Sequence, residues 1–134
     1  MALPITGATE MTVSQSSKYA TSNTLDRVTE AAGCGTVNIN FATDADYTLT
    51  TTGEPAQWHY HVIVMTDTGT LLTTGRSVNV PDQAKPYVFC NTTSFPLTMT
   101  TTGGTGITVA ANNSAMVRSD GTNVVRVTAD SPAT

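Results

Sequence analysis

The chain is poor in charge, in aromatic rings and in cysteine, and each shortage excludes something. Charged residues are 12% of its 134 positions, against about 25% in an ordinary globular domain. Lys and Arg number six against ten Asp and Glu, for a net charge of −4. The cations are scattered, so the clustered positive surface that phosphate binding requires is missing and no nucleic-acid partner is expected. Aromatic residues are 6%, too few to supply the stacking platforms of a paired-acid glycosidase. Cys34 and Cys90 are the two cysteines. They read as small buried hydrophobes, with pairing left open because spacing alone does not show proximity. No apolar run approaches the ~18 residues of a membrane span. Met1 to Thr6 lack a basic stretch followed by a long apolar one, so neither a signal peptide nor a membrane partner is expected.

What the chain has is threonine, at 28 positions, together with abundant Val and Ile. β-branched residues favour strands and argue against disorder. Val37-Asn38-Ile39-Asn40-Phe41 alternates cleanly and predicts a half-buried strand. Further strands are expected over Ala45 to Thr52, Trp58 to Met65 and Thr70 to Thr73, and in short runs from Val78 to Val127. Between these runs lie turn formers such as Asp67-Thr68-Gly69, Gly103-Gly104-Thr105-Gly106 and Asp120-Gly121-Thr122-Asn123. Nine or ten strands result. No helix-length amphipathic segment separates them, so parallel βαβ units are not expected. The pattern predicts an all-β fold, a compact antiparallel β-sandwich or barrel-like domain, over residues 36–128. Residues 1–35 differ: they are polar, with Leu25, Val28 and Ala32 at helical spacing before Gly33. They are expected to form an extended N-terminal arm containing a short helix. Residues 129–134 read as a polar tail. Thr-rich edge strands invite pairing with another copy.

Chemistry is sparse. In Trp58-His59-Tyr60-His61 a strand would place both imidazoles on one face, ~7 Å apart. His59 and His61 could then share a metal ion, with a solvent-facing histidine pair as the ordinary alternative. Asp44 and Asp46 could act as paired carboxylates, but their context is that of solvated turn residues. No Gly-x-Ser-x-Gly elbow occurs, and Gly103 to Gly106 is followed by no lysine and so is no phosphate loop. Neither an enzymatic activity nor a cofactor is expected.

The order of the C-terminal pieces carries a resemblance. Ser77 to Pro81 read as an "xVxVP" strand, and Tyr87 to Asn91 as "Y-x-V-x-N" opening a Thr/Ser turn. Leu97 to Gly106 read as an "LTxxTxxGTG" hairpin. Ile107 to Val125 end on "A-x-V" and "DGTNVV", with Asn113 where a glycine is usual. Between about Asp44 and Val127 the chain resembles a small β module of tailed-phage structural proteins: capsid decoration, head-fibre and tail-fibre proteins. The resemblance implies a virion protein made in the host cytoplasm, a homotrimer that decorates and stabilises the capsid exterior. The alternative is a tail-fibre, adaptor or receptor-binding tip protein. The implied partner is the major capsid protein lattice, gripped by the arm, with Leu3, Pro4, Ile5, Tyr19, Leu25 and Val28 as the expected contacts.

Overall fold

The computed structural model describes residues 18–132, and their side chains from residue 26 onward. Leu3, Pro4 and Ile5, and the side chains of Tyr19 and Leu25, lie outside what it describes. Helix α1 (Lys18–Cys34) leads into ten strands: β1 (Thr36–Asn40), β2 (Tyr47–Thr48), β3 (Val62–Thr66), β4 (Arg76–Val80), β5 (Ala84–Asn91), β6 (Leu97–Thr101), β7 (Gly106–Val109), β8 (Asn113–Asp120), β9 (Val124–Arg126) and β10 (Ser131–Pro132). A 3-10 turn, Gln57–His59, precedes β3. The fold is β-rich, as the composition predicts.

The pairing is not all antiparallel. One sheet runs β1-β3-β5-β8-β10, with β9 also against β8; the other runs β2-β4-β6-β7. From β1 to β6 the chain alternates between them at every strand. Each strand therefore pairs with the one two elements earlier, and it does so in parallel. Thr36 lies beside Val62 and Val62 beside Val88, a step of 26 residues each time (62 − 36 and 88 − 62). A parallel pair needs a crossover, which is usually a helix. Here a strand of the opposite sheet makes the crossover. That corrects the antiparallel expectation, and neither sheet closes into a barrel. Only the C-terminal part turns back on itself, with β6–β7, β5–β8, β8–β9 and β8–β10 antiparallel.

The inward faces of both sheets share one apolar cluster. The six-stranded sheet contributes Ile39, Ile63, Met65, Tyr87, Phe89, Ala115 and Val117; the other contributes Val78, Val80, Leu97, Met99 and Val109. Alternation along each strand sets this, since successive side chains point to opposite faces. Removing each large side chain from water stabilises the fold by about 1.5–3 kcal/mol.

Elsewhere the structure departs from the expected elements. The strand expected at Ala45 to Thr52 shrinks to Tyr47–Thr48. Thr70 to Thr73 is a loop, because the Asp67 carboxylate accepts the Leu71 and Leu72 N–H groups at 2.9 and 3.0 Å and curls the chain. The helix is longer than expected, and within it Val28 (fully buried) and Ala31 face the body. The Ala31 carbonyl accepts from both Gly35 N and His61 N. Val28 is thus spent on seating α1 within its own chain and presents no side chain to a lattice. Cys34 is exposed and Cys90 half-buried, both free, so the reading of two buried hydrophobes fails for Cys34. Cys34 precedes Thr36 and Cys90 follows Val88 in a row whose ends are two strand spacings, about 10 Å, apart, beyond disulfide reach.

Candidate functional site

The histidine pair is taken apart by the backbone. Trp58 and His59 lie in the 3-10 turn, so the strand alternation that would align His59 with His61 does not exist there. His59 is buried, its ring 4.6 Å from that of Trp58. Its Nδ1 accepts the Ala56 N–H at 2.8 Å, an acceptor role that places the proton of a neutral ring on Nε2. His61 is half-buried at the entrance to β3, where its backbone N–H holds the end of α1. The pair serves the seam between helix and sheet. Among the described residues no group of three or more His, Cys, Asp or Glu is placed to hold a metal ion.

Asp44 and Asp46 are likewise occupied. Asp44 accepts from Thr73 Oγ1 at 2.5 Å and from Arg76 at 2.9–3.0 Å, and Asp46 accepts Ser77 N at 2.9 Å. They fasten the loop before β2 to the start of β4. The Thr73 hydroxyl, with the Arg76 guanidinium, holds the Asp44 carboxyl below the usual carboxylate range. A group kept ionised in this way is a brace, not a proton donor.

The residues that carry the phage resemblance prove to be the fasteners of the second half. Asn91, buried at the end of β5, donates through Nδ2 to the carbonyls of Phe95, Val109 and Ala110 at 2.8–3.2 Å. Its Oδ1 accepts Thr93 N and lies 2.7 Å from Thr93 Oγ1. Asp120 Oδ1 accepts Thr122 N and Asn123 N around Gly121, whose φ is +98°. Asn123 Oδ1 in turn accepts Thr105 N at 2.8 Å, tying that turn to the glycine-rich hairpin. The left-handed residue before β8 is Asn112, with φ +58°, and not Asn113. An asparagine replaces a turn glycine there as expected, one residue earlier.

Sequence reasoning missed Lys85. It points inward from β5 and is 4% exposed. Its Nζ donates to the Tyr60 and Pro86 carbonyls at 2.8 and 3.3 Å and lies 4.2 Å from the centre of the Tyr87 ring. No carboxylate pairs with it among the described residues. The only sequence signal is the register of the alternation, which puts Lys85, Tyr87, Phe89 and Asn91 on one face. Burial without a counter-charge lowers its pKa to about 8. The neighbouring Tyr87 hydroxyl has no hydrogen-bond partner among the described residues, and burial pushes its pKa up. Both shifts enter stability. Below pH 8 the folded protein carries a desolvated cation; between pH 8 and about 10.4 the unfolded chain binds the extra proton, so stability rises with pH. Above about pH 10 the unfolded chain ionises Tyr87 more readily than the fold does, and stability falls. Thermal stability should therefore climb from about pH 8 to a maximum near pH 10, with a rise of roughly 2–3 kcal/mol on the ascending limb. Lys85→Met should flatten that limb. An ascending limb that survives the substitution would assign it to another group.

Two shallow clefts flank this region. One, of about 290 Å³, lies between α1 and Gly35, Pro55 and Tyr60; the other, of about 330 Å³, lies over Lys85 and Arg118. Neither gathers a nucleophile, a base and an orienting partner. No protein-family model, curated protein or solved structure matches the chain. The geometry that stands out is a set of hydrogen-bonded fasteners around strands that wind between the two sheets.

Proposed function

We propose that the chain is a structural virion protein of a tailed bacteriophage that decorates and stabilises the capsid exterior. In this reading the two sheets form a compact sandwich facing outward. Residues 1–35 act as the arm toward the major capsid protein lattice, and the working unit is a homotrimer. The observation that carries it is the order of motifs from Ser77 to Val127, which resembles the phage module piece by piece. Two features support it: the residues of those motifs are joined across turns by hydrogen bonds, and the chain is rich in threonine and poor in charge. A protein that binds only the assembled lattice stabilises it by mass action, in proportion to RT ln(1 + [L]/Kd).

Immunogold electron microscopy of intact particles, with antibody against residues 36–128, tests the reading. Label spread over the head is the expected result. Label at the tail end would replace it with the fibre or tip role, and unlabelled particles would overturn the virion reading altogether. Because α1 is seated on the body through Val28 and Ala31, the arm is best tested by deleting residues 1–17. Head binding should be lost while the melting temperature stays within a few degrees. Full binding by the truncated protein would remove the arm from the mechanism.

A further inference from the structure

The sheet edges are treated unequally. Among the described residues the β7 edge is crossed by the Arg126 guanidinium, which donates to the Thr108 carbonyl, and by Asp130, which accepts Ala110 N at 3.0 Å. The far end of the larger sheet closes on two-residue β10, which contains Pro132, an ordinary guard against added strands. β2 is two residues long. β1 has none of these protections. Among the described residues its five pair with β3 alone.

The hydrogen bonds fix which groups face outward. Gly35 O accepts Val62 N and Phe41 N donates to Thr66 O, so the odd-numbered residues from 35 to 41 address β3. The N–H and C=O groups of Thr36, Asn38 and Asn40 therefore point away from the sheet. Among the described residues nothing bonds to them. All three side chains are exposed and uncharged, while Val37 and Ile39 turn inward to the core. Neither lysine, nor proline, nor a bulge interrupts the edge. α1 sits at the start of β3, through Ala31 and His61, and not along β1.

We infer that β1 is a docking edge for a second copy of this chain, pairing antiparallel with the same strand of its partner about a twofold axis at Asn38. The fit is self-complementary. Thr36 meets the partner's Asn40, and Asn38 meets the partner's Asn38, so each outward N–H and C=O finds an opposite group. The amide side chains face one another without like charge. Val37, half-buried at the margin, and Ile39 align with the partner's Ile39 and the partner's Val37, which continues the core across the junction. Any extended segment can satisfy the backbone, but few also supply small apolar residues inward and neutral polar ones outward in this register. β1 is itself such a segment. An isologous contact closes a pair and cannot alone close a ring of three. The inference is therefore separable from the trimer proposed above, and it does not depend on where the protein works.

Light scattering on the purified full chain, with amide hydrogen exchange, tests it. The expected result is an even-numbered species, a dimer or a pair of trimers. In it the amides of Thr36, Asn38 and Asn40 exchange about 100-fold or more slowly than free-edge amides, and increasingly so as concentration rises. Asn38→Lys, which places a charge against its own copy, should halve the mass while leaving the circular dichroism unchanged. A monomer or isolated trimer with fast exchange at those three amides overturns the inference. So does an even-numbered wild-type species that Asn38→Lys leaves intact. If that variant does not fold, the wild-type exchange measurement alone decides.

Discussion

Asn91→Ala should lower the melting temperature by about 10–20 °C, a loss of roughly 3–5 kcal/mol. The side chain is fully buried and joins two separate pieces of chain: its own turn at Thr93 and Phe95, and the end of β7 at Val109 and Ala110. Alanine removes donor and acceptor together and leaves backbone carbonyls and an N–H desolvated with no partner, each at a cost of about 1–3 kcal/mol. No single hydrogen bond would matter so much; the effect comes from orphaning several groups at one dry site. The proper control is Ser94→Ala, at an exposed position in the same turn, expected to stay within about 0.5 kcal/mol of the wild type. An Asn91→Ala protein that unfolds within 1 kcal/mol of the parent would mean the turn relaxes to satisfy itself, and the fastener account would be wrong.

Gly104→Ala should be at least as damaging, with a loss of about 3 kcal/mol or no folded protein at all. A Cβ built there lies 1.9 Å from the Thr122 carbonyl oxygen, 2.5 Å from Thr101 Oγ1 and 2.6 Å from Asn123 Oδ1. The nearest of these is backbone, which cannot rotate away. Making room means parting the glycine-rich hairpin from the Asp120–Asn123 turn, and with it the bonds from Thr101 Oγ1 to Thr122 O and from Thr105 N to Asn123 Oδ1. Gly33→Ala sets the scale in the other direction. That glycine is helical and its Cβ would meet open space, so alanine should stabilise by about 0.5–1 kcal/mol through helix propensity. Equal effects at the two positions, in a urea titration, would show that the close approach at Gly104 is not what its sequence position serves.

The strands were legible where alternation was clean, and illegible where aromatic or threonine-rich runs merely look extended. Val37 to Phe41 and Tyr87 to Asn91 announce both a strand and its buried face. Trp58 to Met65 does so only from Val62 onward, because the Ala56 N–H is drawn to His59 Nδ1 and the chain turns. Thr70 to Thr73 misleads for a related reason: the Asp67 carboxylate several residues back decides its course. Direction of pairing was not legible at all. Period-two patterning is the same for parallel and antiparallel neighbours, and the absence of helices suggested hairpins. A crossover through the opposite sheet leaves no mark of its own in the sequence. Lys85 was hidden similarly, since a lone cation between Ala84 and Pro86 reads as surface until its parity with Tyr87 and Phe89 is seen.

The coil has a consequence for how such a chain can change over time. In the larger sheet two successive steps of 26 residues separate Thr36, Val62 and Val88, while in the other sheet Tyr47, Val78 and Met99 are separated by unequal steps of 31 and 21 (78 − 47 and 99 − 78), and each layer rests chiefly on the layers beside it. Duplication or loss of one complete turn would lengthen or shorten the stack while leaving its neighbours' register untouched, as in repeat architectures. The antiparallel part from β5 to β10 is less open to such an edit, because Asn91 and Asn123 tie separate loops together across it and Gly104 packs against the Thr122 carbonyl. On this geometry a change of height by whole layers disturbs fewer contacts than a change at the closing end.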